Sequence, residues 1–213
     1  PMAKVEATTE RINAADAETV FDAAAALVAC DALWATGATR DELLAICAEL
    51  GSDVPFSLVG GAALGIGRGE QLTPIDVGGT FHWVFAVADG GLSTPAVYGE
   101  FDRLTAGTDV PAPEASPALL DALRTGSTDV LAKALSNDLQ PAALSLRPSL
   151  ADTLAAGTGA GALAALVSGS GPTTAFLAAD AEAAGKIADT LRTSGTCRTA
   201  RVAVSPAPGA TIV

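Results

Sequence analysis

Residues 162–205 limit the fold more than any other stretch. Two apolar runs, ALAALV (162–167) and TTAFLAA (173–179), flank the short segment SGSGP. Runs that short, punctuated by glycine and proline, read as strand, tight turn, strand. Residues 180–193 follow as an amphipathic helix, and RTARVAVSP closes with another strand. Upstream, FHWVFAVA (81–88) alternates like a core strand. From residue 81 onward the order is strand, several helices, strand, strand, helix, strand. That is an elaborated β-α-β-β-α-β pattern and predicts an α+β sandwich.

The first part of the chain reads differently. Residues 3–20 are polar and predict an irregular or marginally helical lead-in. Residues 21–35 predict an alanine-rich helix ending at Gly37. Thr39 and Glu42 form a capping-box pair, Leu43, Leu44, Cys47 and Leu50 follow at helical spacing, and Gly51 stops the helix. Asp53 then lies in a loop, with Val54 extended ahead of Pro55. Residues 56–66 predict a small-residue strand or pair of strands, and QLTPI (71–75) another. Thr94 and Pro95 read as cap and first turn of a helix with Val97, Tyr98, Phe101 and Leu104 on its periodic face. Residues 105–115 read as a loop, and Ser116–Pro117 starts a short helix. Ser127 starts another carrying Val130, Leu131, Leu135 and Leu139, and a further helix is expected over 148–156. The natural domain boundary is the Gly78–Gly79 pair.

Composition excludes several function classes. Hydrophobic residues make up 49% and charged residues 17%, which rules out a disordered chain. Aromatics are only 4%, so Ala, Gly, Leu and Val must pack the core. The net charge is −12 and no Lys/Arg cluster occurs, so no nucleic-acid partner is expected. Acidic proteins still bind phosphorylated small molecules through local N–H groups. Cys30, Cys47 and Cys197 follow no metal spacing and suit a reducing, cytoplasmic setting. His82 is the sole histidine, which removes any paired-histidine metal site and disfavours a Ser-His-Asp triad. No run approaches a membrane span and no signal peptide is visible. Pro1–Met2 reads as a leftover ahead of an initiator methionine.

Three features can carry chemistry. Asp53, before the glycines at 60, 61, 65, 67 and 69, is either a general base or metal ligand, or a plain turn aspartate. Those glycines either serve the site or let a strand pack closely. SGSGP is either an anion nest built on Gly169, Ser170 and Gly171, or an ordinary glycine hairpin. Thr94, Pro95 and Tyr98 are either a capped helix start presenting an aromatic for ring stacking, or a cap plus a core tyrosine. No Rossmann or Walker fingerprint is present.

In order and wording, LGSDVPF…GGAALGIGRGEQLTPI, GLSTPAVY, NDLQ (137–140) and LVSGSGPT resemble the 4-diphosphocytidyl-2-C-methyl-D-erythritol kinases. These are a branch of the GHMP small-molecule kinases. The resemblance runs from about Asp22 to the C-terminus, and the alanine-rich wording looks actinobacterial. It implies a GHMP kinase-like two-lobe α+β fold with a truncated N-terminal lobe and a ferredoxin-like α/β sandwich C-terminal lobe. Residues 1–79 would be the remnant of the first lobe, with 1–21 atypical, and 80–213 the second. It implies ATP-dependent phosphorylation of the substrate's 2-hydroxyl in non-mevalonate isoprenoid biosynthesis, with Mg²⁺ accompanying ATP and no protein metal ligand assigned. By position, Asp53 matches the catalytic aspartate, in a cleft between the lobes. Thr94, Pro95 and Tyr98 match the cytosine-holding segment. Gly169, Ser170 and Gly171 match the glycine turn beside the triphosphate. The partners implied are a cytidine diphosphate derivative and ATP.

The chain departs from that family's pattern at its start. NAADAETVF, ahead of Asp22-Ala23-Ala24-Ala25, has no glycine or serine where the family carries a phosphate loop. No lysine segment of the family's kind surrounds Lys4. The expectation is a chain that is inactive or weak by itself and that self-associates through its incomplete first lobe. The alternatives are a non-catalytic cytidine-ligand-binding fragment, or another GHMP kinase such as one acting on homoserine or mevalonate.

Overall fold

A computed structural model describes residues 17–111 and 113–212. The chain divides into two compact units, Pro1–Val77 with Pro206–Val213, and Gly78–Ser205.

In the first unit, α1 (Ala17–Trp34), α2 (Arg40–Leu50) and α3 (Val54–Val59) precede a hairpin of β1 (Ala62–Ile66) and β2 (Gln71–Ile75). Helix α1 starts earlier than the periodicity suggested, and residues 3–16 of the expected lead-in lie outside the described residues. The capping box on α2 forms: the Glu42 N–H donates to Thr39 Oγ1 at 3.3 Å and the Thr39 N–H to Glu42 Oε2 at 2.8 Å. Ala24, Cys47, Leu50, Val54 and Leu58 make a common core.

Two expectations fail here. Val54 is not extended, and residues 54–59 are helix rather than strand. Pro55 sits in the first turn, where its missing N–H would have no helical partner anyway. Val54, Pro55 and Leu58 are buried at helical spacing, so packing overrides the pre-proline bias. The second correction concerns the boundary, because the last residues return to this unit. The Gly61 N–H donates to Ala207 O at 2.7 Å and the Ala210 N–H to Ser57 O at 2.9 Å. Gly60, at φ +67°, makes that return possible: a Cβ there would meet Pro208 C and Gly209 Cα at 2.6 Å.

The second unit carries β3 (Phe81–Val87), then α4 (Thr94–Leu104), α5 (Pro117–Thr125), α6 (Thr128–Ala134), α7 (Gln140–Leu146) and α8 (Leu150–Gly159). It closes with β4 (Ala164–Val167), β5 (Thr174–Ala178), α9 (Ala181–Ser194) and β6 (Thr199–Ser205). The strands form one antiparallel sheet in the order β4-β5-β3-β6. This is the strand order of a ferredoxin-like β-α-β-β-α-β unit, with α4–α8 elaborating the first crossover.

One sheet face packs on α9. Val84, Ala86, Phe176, Ala178 and Ala200 meet Ala184, Ile187, Ala188 and Leu191. Burying each large aliphatic side chain there contributes about 1.5–3 kcal/mol. A separate core joins Ala88, Val97, Ala142, Ala143, Leu150 and Val167. It fixes α4 and α7 beside the end of β4.

The helix expected from Ser127 through Leu139 stops early, at Ala134. Leu135 is extended, at φ −69° and ψ 130°. Asn137 Oδ1 accepts from the Leu139 N–H at 3.0 Å, an Asx-type turn that competes with helix continuation. Helix α7 then restarts with Pro141 in its first turn. Helix α8 covers Leu150–Gly159 rather than 148–156.

Candidate functional site

The site in the second unit is built around the turn between β4 and β5. Val167 pairs with Thr174, and the Ser168 N–H donates to Thr173 O at 2.8 Å. The Gly171 N–H closes the turn on Ser168 O at 2.9 Å. Gly169 and Gly171 adopt φ of +57° and +78°, a region where a side chain is strained. Among the described residues, the N–H groups of Gly169 and Ser170 make no hydrogen bond. Two consecutive uncommitted N–H groups are the ingredients of an anion nest.

Two neighbouring elements hold the turn. Asn137 Nδ2 donates to Val167 O and to Gly169 O, both at 2.8 Å. Gln140 Oε1 accepts from the Val167 N–H at 2.8 Å. From the other side, Thr94 Oγ1 and Ser170 Oγ are 2.9 Å apart and share a hydrogen bond. A cavity of about 350 Å³, lined by Trp83, Phe85, Leu135, Asn137, Val167 and Gly169 among others, opens behind the turn.

Helix α4 brings the second sequence feature to this place, with one correction. Its N-cap is Ser93, whose hydroxyl accepts from the Ala96 N–H at 3.5 Å, not Thr94. Thr94 is the first helical residue, and its hydroxyl is therefore left for Ser170. Pro95 occupies the first turn. Tyr98 is 54% exposed while Val97 is fully buried, so Tyr98 is not a core tyrosine. Glu100, further along α4, accepts from Arg103 at 2.7 Å and from Ser145 of α7 at 2.5 Å. Those bonds, Arg103 first and Ser145 second, pull its carboxyl down to about 2.

Asp53 belongs to the first unit and is exposed. It is the N-cap residue of α3 but its side chain makes no capping bond; among the described residues its carboxylate accepts one hydrogen bond, from Ser52 Oγ at 3.4 Å. The cap of α2 is Gly51. The carboxylate is thus not consumed by helix ends. The glycines that follow serve structure: Gly60 admits the returning tail, and Gly67 and Gly69 turn the β1–β2 hairpin at positive φ.

The sequence assigned no role to Asn137, Gln140, Ser145 or Glu100. The stretch NDLQ was noticeable only as wording, because its partners lie about thirty positions away.

Residues 119–197 match the family model described as GHMP kinases C terminal. That segment belongs to the GHMP kinase family. Over the matched part the described chain has the GHMP kinase fold: a crystal structure of 4-(cytidine 5'-diphospho)-2C-methyl-D-erythritol kinase superposes at TM-score 0.70 with 30% identity, covering 87% of this chain and 64% of that one. The L. major mevalonate kinase crystallised with R-mevalonate shares the fold at TM-score 0.70 and 17% identity, covering 89% of this chain and 66% of its own. By sequence, the chain is 74% identical over 192 residues to the 4-diphosphocytidyl-2-C-methyl-D-erythritol kinase of Streptomyces avermitilis, covering 90% of this chain and 65% of that kinase. The chain thus spans under two thirds of the length of that GHMP kinase. Among the described residues no helix is long and apolar enough to cross a membrane.

Proposed function

We propose that this chain acts as a GHMP kinase and transfers the γ-phosphoryl group of ATP to the 2-hydroxyl of 4-diphosphocytidyl-2-C-methyl-D-erythritol, in the non-mevalonate supply of isoprenoid precursors. The observation that carries the reading is the Thr94–Ser170 hydrogen bond. It joins the helix start that resembles a cytosine-holding segment to a turn with two free N–H groups. A pyrimidine on Tyr98 and a phosphate chain on Gly169 and Ser170 would then share one support. The relative from Streptomyces avermitilis carries the name of this activity.

In this reading Asp53 accepts or orients the proton of the substrate hydroxyl. The hydroxyl oxygen forms a bond to the γ-phosphorus, the bond from that phosphorus to the bridging oxygen breaks, and ADP leaves. Phosphoryl transfer needs little covalent help from protein, so positioning and charge stabilisation dominate. Gly169 and Ser170 would donate to phosphate oxygens. Among the described residues no group of three or more His, Cys, Asp or Glu could hold a metal. Magnesium takes one or two carboxylates plus phosphate oxygens and water, so it would enter with ATP, and no ligand here is assigned to it. A cytoplasmic setting accords with the free thiols of Cys30, Cys47 and Cys197. Leu33, Trp34 and Ile66 are 58–78% exposed and suit self-association of the first unit.

The test is ADP release from ATP and Mg²⁺ with 4-diphosphocytidyl-2-C-methyl-D-erythritol, using this chain and Asp53→Asn. Turnover abolished by the substitution supports the reading; turnover that survives it removes Asp53 from the chemistry. A second reading, a cytidine-binding module without turnover, is favoured by residues 13–21, which hold no glycine or serine. CMP binding with no ADP release would select it.

A further inference from the structure

We propose that Asn137 and Gln140 are positioning residues that aim the Ser170 N–H at an anion. The inference rests on the reading of residues 168–171 as a phosphate turn and assigns what makes that turn competent.

A glycine turn has many conformations of similar energy. Each would point the N–H groups of residues 169 and 170 elsewhere. Here one peptide plane is fixed from behind. Asn137 Nδ2 grips the Gly169 carbonyl. In a trans peptide the C=O and the following N–H point in opposite directions. The Gly169–Ser170 bond is trans, since the only cis peptide found among the described residues is Gly171–Pro172. Holding the Gly169 carbonyl toward Asn137 therefore turns the Ser170 N–H away from it, where no protein group accepts it among the described residues. The same amide grips Val167 O, and the Ser168 N–H of that peptide correspondingly meets Thr173 O on the opposite side.

Asn137 has no donor left for an anion of its own. Both Nδ2 hydrogens are used on carbonyls, and Oδ1 is engaged by the Leu139 N–H. It acts through the turn. Gln140 adds a second hold on the Val167 residue by accepting its N–H. Both side chains start from a frame that cannot easily shift, because Ala142, Ala143 and Val167 share one buried core.

The test is titration of the ¹⁵N-labelled chain with inorganic triphosphate, following the Gly169 and Ser170 amide resonances. Asn137→Asp keeps the shape but replaces both donors with acceptors, so it should weaken triphosphate binding by about tenfold or more. Gln140→Glu keeps an acceptor for the Val167 N–H and should bind within about twofold of the parent, whereas Gln140→Leu should lose several-fold. Faster amide exchange at Ser168 and Gly171 in Asn137→Asp and Gln140→Leu would show that the turn itself has loosened. Wild-type affinity in Asn137→Asp, or equal binding by Gln140→Glu and Gln140→Leu, overturns the inference. If triphosphate leaves both amides of the unsubstituted chain unmoved, the phosphate-turn reading falls, and the inference falls with it. If those amides respond and the variants respond alike, only the positioning role falls.

Discussion

Gly157→Ala should destabilise the second unit although alanine is the better helix former. Gly157 lies buried in α8, against the ring of Phe176, which is itself fully buried on the interior strand β5. A Cβ at 157 would lie 2.8 Å from Phe176 Cζ and closer still to Cδ1 and Cε1. Ordinary carbon contacts are about 3.5–4.0 Å, so the overlap is at least about 0.7 Å at three ring atoms. The ring has nowhere to swing, because Val84, Ile187 and Leu191 close the same core. Overpacking of this kind costs about 1–3 kcal/mol, and displacing the ring outright costs about 3–5 kcal/mol. The gain in helix propensity returns only about 1 kcal/mol. With the ring displaced, the net expectation is a loss of about 2–4 kcal/mol.

Gly185→Ala supplies the control. Gly185 lies in α9, and a Cβ there meets nothing within 4 Å. The same chemical change should stabilise by about 0.4–1 kcal/mol. Urea denaturation followed by Trp83 fluorescence in a Trp34→Phe background reads the second unit, since Trp83 is in β3 and its indole N–H donates to Ser205 Oγ at 3.0 Å. Phe176→Leu, combined with Gly157→Ala, should lose less than the sum of the single losses, by about 1 kcal/mol or more. If Gly157→Ala proves as stabilising as Gly185→Ala, the close approach of α8 to β5 is wrong.

Further outcomes follow from the same geometry. Tyr98→Ala should weaken CMP binding by about tenfold or more, the range of base-on-aromatic stacking, with thermal stability unchanged; calorimetric titration decides it. Glu100→Gln should melt below the parent at near-neutral pH, with the gap closing on acidification. The parent carboxyl sits at about 2 against an ordinary 4.5, so its contribution is full above 4.5 and is lost as pH falls toward 2; a gap that widens in acid refutes this. Cys47 should be the last thiol to react with a maleimide, since burial pushes it up to about 11; labelling before unfolding contradicts the packing of α2.

The order of elements from residue 81 was legible because each strand and helix there advertises its own period. FHWVFAVA alternates, and β5 and β6 pair with it on either side in the observed register. The signal failed where tertiary contact outvoted local preference. Val54 precedes a proline yet is helical, because its side chain and that of Leu58 fill the core beneath α1 and α2. It failed again at Leu135, where apolar spacing continued but the Asn137 side chain diverted the backbone. The site followed the same logic. Asp53, Tyr98 and the glycine turn stood out as residue types unusual for their surroundings. Ser93 rather than Thr94 as the cap was a choice between adjacent hydroxyls that no pattern settles. Asn137 and Gln140 were invisible because their hydrogen bonds reach another element.

What those long-range bonds add is closure. Thr94 of α4 meets Ser170 of the turn, the turn is held by Asn137 and by Gln140 at the start of α7, and Ser145 of α7 returns to Glu100 of α4. The three elements form a ring in which every neighbouring pair shares at least one polar bond. Moving any one of them breaks contacts with both others, and Val97, Ala142, Ala143 and Val167 tie the same three pieces together underneath. Tyr98 and the free N–H groups of the turn therefore sit on one rigid piece rather than on two loops that must find each other. Geometry needed at a phosphoryl-transfer site is held most accurately on such a support, since loosely held groups lose the advantage of orientation. Breaking the Glu100–Ser145 bond, which touches neither proposed ligand, should accordingly disturb base and phosphate binding together.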